Sequence, residues 1–237
     1  FAMPQRRMDW PLALVLVMLA TPTLSAASYY SEDEPTDVVH GTFSTWPAPA
    51  VGGSTFNGDP TLGIQAPARG LRLELGWHPI IHPEESSSVF GLSLGVQRIH
   101  MQIIPPLPGD ALYDMRLTAL PLDGVIRWQV YDAHWWTIDV LAQAGGGPLL
   151  VAIEASTPST GDRFSRSTGM GYTLETGVGP EVGMTRSGTT LGLSLKAVVA
   201  WSQISFSGTA PNVADEHYRI SYRQAGLAWG LFISQSW

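Results

Sequence analysis

The chain has 237 residues, no cysteine, 25 glycines and nine tryptophans, and only 14% of its residues are charged. The lack of cysteine excludes disulfide bonds and thiolate metal sites, and a formal net charge of −7 argues against binding to nucleic acid. The length suits one domain of barrel type.

The first residues have the organisation of a secretory signal peptide. Arg6 and Arg7 precede a short apolar run over residues 11–20, and small residues suitable for cleavage follow it. The run is about half the roughly 20 residues that a transmembrane helix needs. We therefore predict a signal peptide over residues 1–26 and a flexible mature N-terminus over residues 27–37.

From residue 38 onward, apolar residues alternate with small or polar ones at the period of two that is typical of β-strands. Eight segments of this kind are predicted, at residues 38–46, 70–79, 88–101, 115–131, 134–145, 169–183, 190–206 and 217–237. None of them is a candidate transmembrane helix, so insertion into a membrane would require a β-barrel.

The predicted connections between these strands alternate in length. Long polar connections are predicted at residues 47–69, 102–114, 148–168 and 207–216, and short ones at 80–87, 131–134 and 184–189. In outer-membrane barrels the short turns face the periplasm, the long loops face outward and the strand number is even. The sequence therefore predicts an all-β fold, an eight-stranded antiparallel up-and-down transmembrane β-barrel over residues 38–237, with both termini periplasmic.

Aromatic residues fall near the ends of the predicted strands, as expected at the two surfaces of a membrane. The predicted periplasmic girdle contains Trp77, Trp128, Trp136 and Trp237, and the predicted outer girdle contains Tyr113, Trp201, Phe206 and Tyr218. The alternative is a soluble β-sandwich or a lipocalin-like barrel with its apolar face inward. That alternative would place many glycines on the solvent face, where they weaken strands without benefit, so we favour the membrane barrel.

Charged residues on the opposite strand face are predicted to point into the lumen. They are Arg72, Glu74, Arg127, Asp139, Glu175, Glu181 and Lys196. An eight-stranded barrel is just wide enough for side chains to fill it, and buried charges must be paired. We therefore predict an internal ion-pair network and a lumen without a wide aqueous channel.

Histidine and serine residues supply the only candidates for catalysis. The possible pairs of base and nucleophile are His217 with Ser221, and His100 with Ser202 or Ser205. The segment over residues 217–223 resembles outer-membrane lipid A deacylases only loosely, because Arg219 occupies the position of their serine. We therefore predict a histidine at the membrane interface and no catalytic site. His78 and His82 lack a third metal ligand, and no cofactor motif is present, so no metal and no cofactor are predicted.

The alternation, the connection lengths and the C-terminal aromatic residue together resemble the small eight-stranded outer-membrane barrel proteins of the OmpA, OmpX and OmpW types. The resemblance implies a monomer in the outer membrane of a Gram-negative bacterium, in contact with membrane lipid and lipopolysaccharide. It also implies that the barrel assembly machinery recognises the last strand through Trp237. A structural or surface-interaction role at the cell surface is expected; the alternatives are a lipid A-modifying enzyme and a narrow, porin-like channel for small solutes.

Overall fold

A computed structural model describes residues 37–49, 55–60, 63–65, 70–79, 88–104, 112–133, 135–157, 163–210 and 213–236. The predicted signal peptide lies outside these residues, and so does the predicted flexible segment except for Asp37, which begins the first strand. The strands are β1 (Asp37–Trp46), β2 (Thr55–Phe56), β3 (Asp59–Pro60), β4 (Gly63–Gln65), β5 (Gly70–Pro79), β6 (Ser88–Ile104), β7 (Leu112–Ala119), β8 (Leu122–Ala133), β9 (Trp136–Ser156), β10 (Arg163–Arg186), β11 (Thr189–Ala210) and β12 (Val213–Ser236). Within the described ranges, no helix is long and apolar enough to cross a membrane.

The long strands form one closed antiparallel barrel. Each strand pairs with the next long strand in the chain, and β1 pairs with β12 to close the barrel. β7 and β8 share the neighbours β6 and β9 and act as one barrel strand, interrupted at Leu120 and Pro121. Proline cannot donate a hydrogen bond to a neighbouring strand, which explains the interruption. The predicted eight-stranded antiparallel barrel is therefore confirmed.

Short strands complete the wall where β1 and β5 end. We call the end at which β1 begins and β12 ends the lower end of the barrel, and the opposite end the upper end. β1 and β5 have ten residues each, whereas β9 to β12 have 21 to 24. Above them, β2 pairs with β12 and β4 pairs with β6. A tight turn joins β2 to β3 through Asn57 and Gly58, whose positive φ angles suit such a turn. Part of the predicted loop over residues 47–69 therefore belongs to the wall.

Two of the other three long connections predicted at the upper end are mostly strand. β9 and β10 take up much of the predicted loop over residues 148–168, and β11 and β12 take up most of the one over residues 207–216. The connection predicted at residues 102–114 shortens to 105–111. The prediction is wrong because polar residues of these segments, such as Arg166 and Ser207, lie on the outward face, while inward residues such as Val151 and Ile153 are buried and support the strands.

An apolar belt of exposed side chains surrounds the lower part of the barrel. One residue from each long strand illustrates it: Phe43, Leu75, Leu92, Val130, Leu150, Leu174, Leu193 and Leu231. On β12 the belt runs from Leu227 to Ile233. The six residue steps between these two residues span about 20 Å along the strand, and a strand tilt of about 40° gives a height of about 15 Å. Exposed apolar residues of this kind form the lipid-facing band of outer-membrane barrels.

Glycines on the inward face of β6 leave room for side chains in the lumen. A Cβ atom at Gly95 would lie 3.1 Å from the guanidinium of Arg72 and from the ring of Pro121. A Cβ atom at Gly91 would lie 2.5 Å from Nδ1 of His78. Small residues therefore face inward, as a narrow barrel with large lumen side chains requires.

Candidate functional site

Arg72 lies at the centre of a buried ion cluster that crosses the lumen. Its Nη2 is 2.7 Å from Oε1 of Glu74 and 2.5 Å from Oδ2 of Asp123. Its Nη1 donates to Glu175. All four side chains are at most 3% exposed. Because these residues come from β5, β8 and β10, the contacts join different sides of the barrel wall.

Lys196 and Gln143 extend the same cluster. Nζ of Lys196 donates to Oε2 of Glu74 at 3.1 Å and to Oε1 of Gln143 at 2.7 Å. Nε2 of Gln143 donates back to Glu74 at 3.2 Å. The ring of Trp46 lies against the guanidinium of Arg72 at 4.5 Å. We call Arg72, Glu74, Asp123, Gln143, Glu175 and Lys196 the Arg72 cluster. Its polar groups are largely paired, as buried charges require.

A second ion cluster lies closer to the lower end. Nη2 of Arg127 lies 3.1 Å from Oε2 of Glu181 and 2.6 Å from Nδ1 of His40. Nε2 of His40 is 3.4 Å from Glu181, and Asp139 lies 3.8 Å from Nε of Arg127. We call His40, Arg127, Asp139 and Glu181 the Arg127 cluster. The ring of His78 meets the ring of His40 edge to face, with 5.9 Å between the ring centres.

Above the ion clusters the lumen is filled by apolar side chains, which we call the upper core. It comprises Phe56, Ile99, Met101, Ile103, Tyr113, Met115, Leu117, Ala119, Leu149, Val151, Ile153, Ala155, Ile204, Phe206, Tyr218, Ile220 and Tyr222, each at most 4% exposed. Its aromatic rings contact one another, with 5.1 Å between the centres of Phe56 and Tyr218 and 5.3 Å between those of Phe206 and Tyr218. The lumen therefore changes along its length from charged to apolar.

The upper core corrects the predicted outer girdle. Tyr113, Phe206 and Tyr218 point inward and are buried, so they do not face lipid. Trp201 faces outward and is 37% exposed. The prediction fails because it rests on the position of these rings near strand ends and not on the direction in which their side chains point. The alternation of β11 places even-numbered residues inward, from Lys196 through Phe206.

The seven charged residues predicted for the lumen all lie on the inward face, and the structure divides them between two clusters. Arg72, Glu74, Glu175 and Lys196 meet in the first, while Arg127, Asp139 and Glu181 meet in the second. The sequence analysis missed His40, Asp123 and Gln143. Asp123 shares strand parity with Arg127, and this signal could have placed it inward despite the nearby Pro121.

The residues predicted for the periplasmic girdle have different surroundings. Trp77 is 50% exposed and its indole donates to Oδ1 of Asp37 at 3.0 Å. Trp136 is 37% exposed at the lower end, next to the exposed Trp135 and near the exposed Tyr131. Trp128 is half-buried on the outward face. Trp237 lies outside the described residues.

The candidate pairs of histidine and serine do not form. His217 and Ser221 are four residues apart on β12, and Nδ1 of His217 instead lies 2.8 Å from Oγ of Ser207. His100 points outward and lies 2.5 Å from Asp114, whereas Ser202 is buried in the lumen and bonds Thr173. Ser205 lies on β11, which does not adjoin the strand of His100. The geometry therefore supports none of the candidate catalytic pairs.

The described residues contain no group of three or more His, Asp or Glu side chains that could hold a metal ion. Of the two closely spaced histidines, His78 is buried in the lumen and His82 lies outside the described residues.

Known proteins that are similar to the chain occur among solved structures. No protein-family model and no curated protein matches the chain. Among solved structures, it is similar to the outer membrane protein OprG from Pseudomonas aeruginosa, with 10% identity, a TM-score of 0.46, and coverage of 86% of this chain and 97% of that one. It is also similar to Neisserial surface protein A, with 12% identity, a TM-score of 0.32, and coverage of 87% of this chain and 100% of that one. The outer membrane protease OmpT from Escherichia coli is similar as well, with 10% identity, a TM-score of 0.44, and coverage of 89% of this chain and 100% of that one. Independently of these likenesses, the closure of β1 on β12 confirms the eight-stranded barrel fold that the predicted resemblance implies.

Proposed function

We propose that the protein is a bacterial outer-membrane β-barrel with a closed lumen and a structural or surface-interaction role. The observation that carries this proposal is the contrast between the outward and the inward face of the barrel wall. Large apolar side chains such as Leu193 and Leu231 are 64% and 57% exposed on the outside, while charged side chains are buried inside. A water-soluble barrel has the opposite arrangement, whereas lipid on the outside makes this one favourable.

The contents of the lumen support a role other than transport. The Arg72 cluster joins side chains from β5, β8, β9, β10 and β11 across the barrel. The upper core fills the space above it with side chains that water does not reach. Opening a path for solutes would require breaking buried ion pairs, which is costly. The role is therefore assigned to the outside of the barrel and to its upper end.

We further propose that the upper end faces the cell exterior and the lower end faces the periplasm. Strands β9 to β12 extend above the apolar belt, and their outward residues there include Ser205, Ser207 and Arg219, which suit water. The lower end carries the exposed rings of Trp77 and Trp136. In this orientation the last strand ends in the periplasm, where the barrel assembly machinery would bind it.

Conductance in planar lipid bilayers tests this function. We expect refolded protein, shown to be folded by its heat-dependent mobility on gels, to give no stable single-channel steps, since the lumen is filled. A general porin reconstituted in the same way serves as the positive control. Stable steps of porin size would contradict the closed lumen and would favour the channel for small solutes. Recovery of the protein from cells in a soluble fraction, with none in outer membranes, would contradict the location.

A further inference from the structure

A groove crosses the outward face of the barrel at the upper edge of the apolar belt. It has a volume of about 860 Å³. One row of directly opposed residues runs along it, from Leu71 on β5 through Arg98, Thr118 and Leu150 to Met170 on β10. Its apolar members are well exposed: Leu71 is 51%, Leu150 46% and Met170 68% accessible. Four steps between strands of about 4.8 Å give the row a length of roughly 19 Å.

Two arginines occupy the groove, and neither has an acidic partner among the described residues. Arg98 lies directly opposite Thr118, and Arg116 lies two residues before Thr118 on β7, so the two arginines are diagonal neighbours. Diagonal positions lie about 7–8 Å apart, within joint reach of two long side chains. Neither guanidinium forms an ion pair with any carboxylate of the described chain.

The nearest carboxylates on these strands already contact other cationic or ionisable groups. Oδ1 of Asp114 lies 2.5 Å from Nε2 of His100. Oε1 of Glu154 lies 2.7 Å from Nη2 of Arg166. Neither carboxylate therefore pairs directly with Arg98 or Arg116, and among the described residues these two guanidinium groups form no ion pair on the lipid-facing surface. An arginine without an ion pair on this face is unfavourable in proportion to its depth, so an anion is the expected neighbour.

The arginines of the outward face are concentrated near the upper edge of the belt. Those described there are Arg98, Arg116, Arg166, Arg219 and Arg223, whereas the lower end has Arg186. This distribution occurs in a chain with a net charge of −7. A cationic collar on an acidic protein indicates a local anionic partner rather than a general attraction to negative surfaces.

We propose that this groove binds one phosphorylated glycolipid of the outer leaflet, of the lipid A class. A phosphate on its sugar headgroup lies between Arg98 and Arg116, because guanidinium groups match phosphate oxygens with paired hydrogen bonds. Its acyl chains lie on Leu71, Leu150 and Met170. These apolar residues lie on both sides of the two arginines, so acyl chains can flank a phosphate bound between them. The site deepens the proposed function and rests on it, since only the outer leaflet supplies this lipid.

Lipid binding by the refolded full-length barrel in detergent micelles tests the site. The probes are diphosphorylated lipid A, the same lipid without phosphate, and phosphatidylglycerol, each followed by native mass spectrometry and by the melting temperature. We expect diphosphorylated lipid A to bind wild type on the order of tenfold more tightly than the double variant Arg98→Gln/Arg116→Gln, as loss of charge-assisted bonds to phosphate predicts. The matched control Arg186→Gln, at the lower end, should stay within about twofold of wild type.

Equal affinity of the double variant and wild type for lipid A would overturn the site. Equal affinity of wild type for phosphatidylglycerol and lipid A would also overturn it, because any anionic lipid would then suffice. Both outcomes are distinguishable from failure of the proposed function. If the proposed function fails, wild type will not insert into bilayers or will conduct ions. If only the lipid site fails, wild type still inserts and its lumen stays closed.

Discussion

The substitution Arg72→Met is expected to lower the free energy of unfolding by about 3–5 kcal/mol, the cost of breaking a buried ion pair by removing one partner. The guanidinium contacts Glu74, Asp123 and Glu175, all of them buried. Without it, Lys196 is left to offset the charge of the group, and it contacts Glu74. Urea-induced unfolding in lipid vesicles, followed by mobility on gels and by tryptophan fluorescence, measures the loss.

The matched control for this substitution is Arg166→Gln. Arg166 also forms an ion pair, with Glu154 at 2.7 Å, but its side chain is 77% exposed. Exposed pairs contribute about 0–1 kcal/mol, so the control should unfold within about 1 kcal/mol of wild type. Similar small losses in both variants would show that the Arg72 cluster does not hold the barrel wall together.

The substitution Leu193→Arg is expected to destabilise the barrel in lipid vesicles by about 2–4 kcal/mol, the cost of an arginine near the middle of the bilayer. Leu193 is 64% exposed and lies directly opposite Leu231 within the apolar belt. On a protein surrounded by water, the same exposed substitution would change stability by about 0.5 kcal/mol or less. The size of the effect therefore reports whether lipid contacts this face.

The same strand provides the control, Ser205→Arg. Ser205 also faces outward, but it lies at the upper edge of the belt, between Met170 on β10 and Arg219 on β12. An arginine near the membrane surface costs about 0–1 kcal/mol. A large difference between the two variants is expected in vesicles of matched composition. Equal losses at both positions would contradict the proposed depth of β11 in the membrane.

Strand faces were predictable from the sequence within the belt, and strand ends at the top were not. Between Leu191 and Lys196 the apolar residues face lipid and the small or polar ones face the lumen, so the alternation is plain. Higher on the same strand it reverses, since Ser205 faces outward and Phe206 is buried. A pattern that expects apolar residues outside places Phe206 on the wrong face and predicts a loop beyond it. For the same reason the upper core was missed.

The sequence predicts which charged residues face the lumen better than it predicts which of them form ion pairs with one another. Parity places Arg72 and Glu175 inside the barrel, yet they are 103 residues apart in the chain. Which carboxylate meets which cation depends on strand register and on the width of the barrel, and neither can be read from one strand. His40 was missed because the segment around it has a weak alternation. The groove at Arg98 and Arg116 depends on register in the same way.

A site-directed spin-label scan of β11 in lipid vesicles tests most directly whether the outward face of the barrel contacts lipid while the inward face lines the lumen. The chain has no cysteine, so single cysteines can be introduced at each position from 191 to 197 without background labelling. Collision with oxygen, which concentrates in lipid, should peak at positions 191, 193, 195 and 197. It should fall at 192, 194 and 196, where side chains face the lumen. High collision with a water-soluble nickel complex at the odd positions would mean that water, not lipid, covers this face, and would contradict the account.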